Sequence, residues 1–152
     1  MQEKKLTIDN EQQTLNLGQA LAKHLPEQFV IYLHGDLGVG KTTLVRGILS
    51  GLGFHEKVKS PTYTFVEPYT IDNRQVFHFD LYRLHNALEL EDIGVRDYFT
   101  GNALILIEWP EVAAQILPNP DLHCYIEIKN QQRIFKLQAN TRAGTMLLKQ
   151  LI

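Results

Sequence analysis

YLHGDLGVGKTT, residues Tyr32–Thr43, is the most informative stretch of this 152-residue chain. Within it, Gly35 to Thr42 match G-x-x-x-x-G-K-[ST], the pattern of a phosphate-binding loop. The apolar run FVIYL, of strand length, leads into the loop, and apolar residues at helical spacing follow it. Glycines let the loop backbone turn its N–H groups inward, and a helix N-terminus adds positive potential. These residues predict a strand, a phosphate-binding loop and a helix; the alternative is a glycine-rich turn that binds nothing.

Strands and helices alternate on both sides of this loop. Asp9 with Gln12 resembles a capping box that opens a helix ending near Leu25, and Thr141 opens a last helix through Leu151. The remaining patterns predict strands at 29–33 and 103–108, helices at 44–52, 88–99 and 111–117, and hairpins of 62–69 with 75–81 and 122–129 with 133–139. Together with the loop, this order predicts an α/β P-loop NTPase fold, a three-layer sandwich with a mostly parallel central sheet and an antiparallel portion.

Length and composition are those of one globular domain over residues 1–152. The chain is 44% hydrophobic and 21% charged, with a net charge of −2 and one cysteine. One cysteine cannot form an internal disulfide, and the N-terminus lacks the apolar core of a signal peptide, so we expect a cytoplasmic protein. The longest apolar run, Ala103–Ile107, is too short to span a membrane, and scattered Lys and Arg predict no direct binding of DNA.

The loop predicts how a triphosphate would be bound. The Lys41 ammonium is expected to bridge the β- and γ-phosphates, the Thr42 hydroxyl to ligate Mg²⁺, and Thr43 to contact the α-phosphate. The predicted contacts within the loop are Gly38, Val39, Gly40, Lys41, Thr42 and Thr43.

Two carboxylates are candidates to assist the Mg²⁺. Asp80 and Glu108 each end an apolar strand, and nucleotides bind at the carboxyl edge of open α/β sheets. One would hold the metal and the other would orient the attacking water, and the sequence leaves open which does which. The structural alternatives are that Asp80 pairs with Arg83 and that Glu108 caps the turn at Trp109.

The segment SPTYT, residues 60–64, lies between the loop helix and Asp80. Many P-loop hydrolases place a segment that senses the γ-phosphate at this point of the chain. The Thr62 hydroxyl is therefore a candidate contact of the metal or the γ-phosphate; the alternative is a strand start that happens to hold Ser and Thr.

Four motifs in this order give the chain a family resemblance: GDLGVGKTT, SPTYT, FDLYRL at 79–84 and IEWPE at 107–111. The chain resembles the TsaE family, small bacterial P-loop ATPases of tRNA threonylcarbamoyladenosine synthesis, essentially from end to end. The departures are Val39, where the family often has Ala, and His34 before the loop. The resemblance implies that the chain binds ATP and Mg²⁺ and hydrolyses ATP slowly. It further implies docking on the TsaB–TsaD heterodimer, in support of the modification of adenosine 37 in ANN-decoding tRNAs.

The resemblance also implies roles for single residues. Lys41 and Thr42 become phosphate and Mg²⁺ contacts, Thr62 a switch-like residue, and Asp80 and Glu108 the groups at metal and water. Trp109 is expected against the nucleotide-facing surface, and Tyr82 and Arg83 are candidates for the partner interface. The candidate adenine contacts, which are otherwise ordinary surface residues, are Asn10, Thr14 and Arg133.

Other functions share the loop. A small-molecule or nucleoside kinase needs an acceptor pocket and an Arg-rich lid, and the sequence holds no Arg cluster. A GTPase needs an Asn-Lys-x-Asp segment to read guanine, which is missing. A nucleotide-gated interaction module, in which turnover is incidental, remains an alternative. The six His residues show no metal-ligand spacing and predict no site.

Overall fold

A seven-stranded mixed sheet forms the centre of the molecule, in a computed structural model that describes residues 2–151. The strands are β1 (Glu3–Ile8), β2 (Phe29–His34), β3 (Val66–Ile71), β4 (Arg74–Asp80), β5 (Ala103–Glu108), β6 (Leu122–Lys129) and β7 (Gln132–Ala139). The helices are α1 (Glu11–Ala22), α2 (Lys41–Leu52), α3 (Leu88–Asp92), α4 (Arg96–Phe99) and α5 (Arg142–Gln150), with a 3-10 turn at Pro110–Ala113.

The strand order β1-β7-β6-β2-β5-β4-β3 places the strand before the loop in the middle of the sheet. β2 runs parallel to both β5 and β6, and β4 runs parallel to β5. The β1–β7, β6–β7 and β3–β4 pairings are antiparallel. The sheet is therefore parallel at its centre and antiparallel toward both edges, so it is more mixed than the expected mostly parallel sheet. The α/β fold class is confirmed.

Two apolar cores cover the two faces of the sheet, as a three-layer arrangement requires. On one face, Ile31 and Leu33 of β2 pack with apolar residues of α1, α2 and α5. On the other face, Val30 and Tyr32 pack with residues of the short α3 segment and of the 3-10 turn. Because successive strand residues point to opposite faces, the continuous apolar run of β2 supplies both cores.

Glycines bring α1 and α2 into close contact. A Cβ at Gly47 of α2 would lie 2.5 Å from the carbonyl oxygen of Leu15, and one at Gly18 of α1 would lie 2.6 Å from the backbone nitrogen of Ile48. No side chain fits at either position without moving backbone. The helix that follows the loop is therefore seated directly on the backbone of α1.

Two predicted boundaries at the N-terminal end are wrong. Helix α1 is capped by Asn10 rather than Asp9: Asn10 Oδ1 accepts from the Gln13 N–H at 2.9 Å, and Gln13 Oε1 accepts from the Asp9 N–H at 2.8 Å. Asn10 and Gln13 thus replace the predicted Asp9–Gln12 pair, and the return hydrogen bond goes to the N–H of the residue before the cap. The helix also ends at Ala22, before the predicted Leu25. Strand β1, which no pattern predicted, precedes it.

Other elements are shorter than predicted. Residues 62–65 form a turn instead of a strand start, because the Phe65 N–H donates to the Pro61 carbonyl at 2.6 Å and Phe65 adopts φ 71°. Gly94, with φ 70°, splits the predicted helix at 88–99 into α3 and α4. The predicted helix at 111–117 is the short 3-10 turn, and both predicted hairpins and the Thr141 cap are confirmed.

The described residues contain no helix that is both long enough and apolar enough to cross a membrane. Cys124, in β6, is fully buried among apolar neighbours. Burial raises the pKa of its thiol to about 12.

Candidate nucleotide-binding site

A cleft of about 440 Å³ lies at the carboxyl ends of β2, β4 and β5. It brings together predicted residues from six separate parts of the chain: Thr14, Gly38, Gly40, Lys41, Thr42, Thr43, Thr62, Asp80, Glu108, Trp109 and Arg133. Asn10 and Val39 do not line it. The Asn10 side chain caps α1, and the Val39 side chain is buried in the core behind the loop.

The loop backbone takes conformations that favour glycine. Gly38 has φ 78° and Gly40 has φ 115°, both in the region that residues with a Cβ rarely adopt. Gly40 is the N-cap of α2, so the loop passes directly into the first turn of that helix. The unpaired N–H groups of this turn and the helix dipole favour an anion in the cleft.

Arg133 of β7 supports the loop from behind. Its Nε–H donates to the Val39 carbonyl at 2.7 Å, and its Nη2 lies 3.5 Å from the Gly38 carbonyl. The guanidinium group thereby donates to carbonyl groups of the loop, and the Arg133 side chain also lines the cleft. Its predicted contact with adenine stays a prediction, as does that of the buried Thr14.

The Lys41 side chain is buried and held by two contacts. Its ammonium donates to the Gly35 carbonyl and lies 3.6 Å from the centre of the Trp109 ring. Burial lowers the pKa of Lys41, and the negative charges of Glu108 and Asp80 act in the opposite direction. A cation held over an aromatic face in this way is stabilised by the ring quadrupole.

Trp109, which contacts Lys41, has a left-handed backbone. It has φ 60° and ψ 49° directly after the end of β5, and Pro110 starts the 3-10 turn behind it. Such a conformation costs about 1–3 kcal/mol at a non-glycine residue and persists only where its surroundings impose it. Trp109 thus lines the cleft beside Lys41, and its expected place against a nucleotide stays a prediction.

Glu108 connects the loop helix to the centre of the sheet. Its side chain is 4% exposed, and its Oε2 accepts a hydrogen bond from the Thr42 hydroxyl at 3.0 Å. The same oxygen lies 2.6 Å from Nε2 of His78. Glu108 therefore contacts the residue predicted to ligate Mg²⁺.

Asp80 occupies the neighbouring strand end, in register with Glu108. Its Oδ2 accepts from the Thr62 hydroxyl at 3.3 Å, and its Oδ1 accepts from the Tyr82 N–H at 3.1 Å. Arg83, the alternative partner of Asp80, instead places its guanidinium carbon 4.7 Å from the Tyr63 ring centre. Asp80 thus belongs to the SPTYT side of the cleft and Glu108 to the loop side.

The donor set suits Mg²⁺. Thr42, Asp80 and Glu108 supply only oxygen atoms, which hard cations prefer. Across residues 2–151, no group of three or more His, Cys, Asp or Glu side chains could hold a metal alone. Mg²⁺ commonly binds through one or two carboxylates, waters and substrate phosphates, so the residues present fit that ion.

Sequence reasoning missed four residues of the site. Glu11, Leu37 and Ser60 line the cleft, and His78 contacts Glu108 from the core side. The signal for His78 was its position in a buried strand two residues before Asp80, because a buried polar side chain needs a hydrogen-bond partner.

Comparison with known proteins gives one family. The family model for "Threonylcarbamoyl adenosine biosynthesis protein TsaE" matches residues 8–137. Curated TsaE proteins are similar: the Haemophilus influenzae protein is 43% identical over 93% of this chain and 92% of its own length, and the Bacillus subtilis protein 34% identical over 84% and 79%. A crystal structure of Bacillus subtilis YdiB superposes with a TM-score of 0.83 at 28% identity, covering 99% of this chain and 94% of YdiB.

Proposed function

The chain belongs to the TsaE family, and from this premise we propose that it binds ATP with Mg²⁺ and hydrolyses it slowly in threonylcarbamoyl adenosine biosynthesis. The observation that supports this most directly is the 3.0 Å hydrogen bond from the Thr42 hydroxyl to Glu108. It joins the phosphate-binding loop to the carboxylate at the end of β5, as a metal-dependent nucleotide site requires.

The loop would bind the phosphates through its backbone N–H groups and the first turn of α2. Lys41 would exchange the Gly35 carbonyl for phosphate oxygens and would keep its place over the Trp109 ring. Because this ammonium is already buried, little of its hydration would have to be removed when the nucleotide enters.

The two carboxylates receive different roles from their contacts. Glu108, with the Thr42 hydroxyl, would hold Mg²⁺, which when bound neutralises charge on the phosphate oxygens. Asp80, with the Thr62 hydroxyl, would orient the attacking water. The two contacts support this proposed division of the roles that the sequence left open.

Contacts within the protein support the proposal that turnover in the isolated protein is slow. Both oxygens of Asp80 accept hydrogen bonds within the protein, and Arg133 donates to loop carbonyls. These groups would have to change partners before they could act on water or on transition-state charge. A bound partner would supply the free energy for such a change.

Lys41→Ala tests the nucleotide site. We expect it to abolish phosphate release and to weaken ATP binding at least tenfold, because it removes the charge between the β- and γ-phosphates. Lys149→Ala, at an exposed lysine of α5, is the matched control and should behave as the wild type. Equal turnover in both variants would contradict the proposal. Phosphate release without an acceptor in the wild type would also separate an ATPase from a kinase.

Glu108→Ala tests the assignment of the metal ligand. Mg²⁺-dependent phosphate release should fall strongly while nucleotide binding measured in EDTA is retained, because Glu108 would contact the metal and not the phosphates. A parallel loss of metal-free binding by isothermal titration would argue against this role.

A nucleotide-gated interaction module is a second candidate, favoured by the exposed apolar side chains near the cleft. Leu37 in the loop, Tyr63 in the SPTYT segment and Tyr82 after Asp80 are 61%, 79% and 43% exposed. Their positions would let nucleotide-dependent changes in the loop and in the Thr62–Asp80 contact alter a docking surface.

We propose that the docked partner is the TsaB–TsaD heterodimer, through which the protein would act on adenosine 37 of ANN-decoding tRNAs in the cytoplasm. Capture of this pair should be stronger with ATP than with ADP, and Tyr63→Ala should weaken it. Ile128→Ala, which truncates an exposed side chain of β6, is the matched control. Equal capture by both variants would remove Tyr63 from the interface, and the ATPase rate with and without the pair would show whether docking activates turnover.

A further inference from the structure

His78 is the closest partner of Glu108. Its Nε2 lies 2.6 Å from Glu108 Oε2, and the His78 side chain has no exposed surface. Across the parallel β4–β5 pair, His78 is in register with Leu106, and Asp80 with Glu108. The contact is therefore a diagonal one between neighbouring strands, within reach of long side chains.

The surroundings of the ring select its tautomer. His78 Nδ1 is buried and has no hydrogen-bond partner among the described residues. A proton on Nδ1 would bury an N–H group without an acceptor, and a bare Nε2 would direct its lone pair at the carboxylate oxygen. Both unfavourable situations are avoided when the proton is on Nε2, from which it is donated to Glu108.

Glu108 Oε2 is therefore approached from two directions. Thr42, on the loop helix, donates from the cleft, and His78 donates from the core side. A glutamate side chain has three rotatable bonds, and a second donor fixed in the sheet restricts the carboxylate to one orientation. The donor on the core side does not depend on what occupies the cleft.

We infer that His78 is a positioning residue, which holds the Glu108 carboxylate in the orientation needed to bind the Mg²⁺ of a metal–nucleotide complex. This inference rests on the proposed function, and it adds a residue that does not itself line the cleft. Outer hydrogen-bond partners of metal-binding carboxylates commonly account for a 10–100-fold change in metal affinity, so the effect is measurable.

The experiment compares three variants by nucleotide binding at graded Mg²⁺ concentrations. His78→Leu removes the donor and should raise the half-saturating Mg²⁺ concentration by about tenfold or more, while binding in EDTA is unchanged. His78→Gln retains an N–H donor and should recover most of the loss. Val76→Ala is the matched control, because Val76 is fully buried on the same face of β4 and its truncation destabilises the fold without removing a donor.

Two comparisons decide the outcome. An unchanged Mg²⁺ requirement in His78→Leu, or an equal shift in Val76→Ala, would overturn the inference. In a Glu108→Gln background, the His78→Leu effect on the Mg²⁺ requirement should largely vanish, because His78 acts through that carboxylate. If nucleotide binding by the wild-type protein did not depend on Mg²⁺ concentration, that result would instead contradict the proposed function itself.

A measurement on the wild-type protein covers the case in which His78→Leu does not fold. Imidazole ¹H–¹⁵N correlation spectra should show the His78 proton on Nε2, slowly exchanging with solvent, in the absence of nucleotide and metal. A proton found on Nδ1 alone would overturn the inference, because the ring could then not donate to Glu108.

Discussion

Gly47→Ala places one methyl group between α1 and α2, the two helices that border the cleft. The added Cβ would lie 2.5 Å from the Leu15 carbonyl oxygen, 3.0 Å from Leu15 Cα and 3.1 Å from Gly18 Cα. All three are backbone atoms, so the close contacts cannot be relieved by the rotation of a side chain. To restore a contact of 3.0 Å, α2 must move away from α1 by about 0.5 Å.

The expected loss of stability is the difference between two effects. Overpacking against rigid neighbours costs about 1–3 kcal/mol, and replacing glycine by alanine within a helix returns about 1 kcal/mol. Because the contacts are with backbone atoms that cannot rotate away, the upper part of the overpacking range, about 2–3 kcal/mol, applies here. We therefore expect the free energy of unfolding to fall by about 1–2 kcal/mol, and Tm by about 2–8 °C for a chain of this length. Because Lys41 and Thr42 lie in the first turn of the displaced helix, nucleotide affinity should fall as well.

Thermal unfolding followed by circular dichroism measures the first effect, and nucleotide titration the second. Gly101→Ala is the control, because no atom lies within 4 Å of its added Cβ and its backbone is unstrained. It should leave Tm within about 1 °C. A Gly47→Ala protein at least as stable as the wild type would show that the two helices separate freely, which would refute the close packing described above.

Three further predictions concern other parts of the molecule. Asn10→Ala should lower the free energy of unfolding by about 1 kcal/mol through loss of the α1 cap. If calorimetry also showed a loss of ATP affinity, that result would support the predicted contact between Asn10 and adenine. Thr62→Val should slow phosphate release with nearly unchanged ATP affinity, since Thr62 contacts Asp80; parallel losses would contradict this. Burial, then the charges of His123 and Lys41, lower the His34 pKa from 6.5 to about 4. The unfolded chain then binds more protons between these pH values, so stability should fall by about 2 kcal/mol as pH drops through them, allowing for partial exposure. The free energy of unfolding, measured by urea titration at several pH values, should vary less with pH in His34→Phe than in the wild type. An equal pH dependence in the two proteins would refute this.

The central parts of the fold and site were predictable because their signals are local. The loop motif, the apolar run of β2 and the carboxylates that end β4 and β5 are each visible within a few residues. Parallel pairing places the carboxyl ends of neighbouring strands at one edge of the sheet. The neighbouring positions of Asp80 and Glu108 could therefore be predicted from the strand ends alone.

The missed features depend on information that is not local. Strand β1 alternates exposed and half-buried residues at the edge of the sheet, and its polar sequence EKKLTI resembles a tail. The pairing of His78 with Glu108 depends on the exact register between β4 and β5, which no short pattern specifies. Asp9 and Asn10 are both good N-cap residues, so composition alone could not choose between them.

The buried thiol of Cys124 makes the wild-type chain a convenient starting point for site-directed labelling. It is the only cysteine in the sequence, it has no exposed surface, and its raised pKa keeps it in the unreactive thiol form at neutral pH. A single cysteine introduced at Leu37 or Tyr63 would therefore take up a maleimide spin label or fluorophore without background from Cys124. A variant with cysteines at both positions would carry two probes, and the distance between them would show whether the loop and the SPTYT segment move when nucleotide is added.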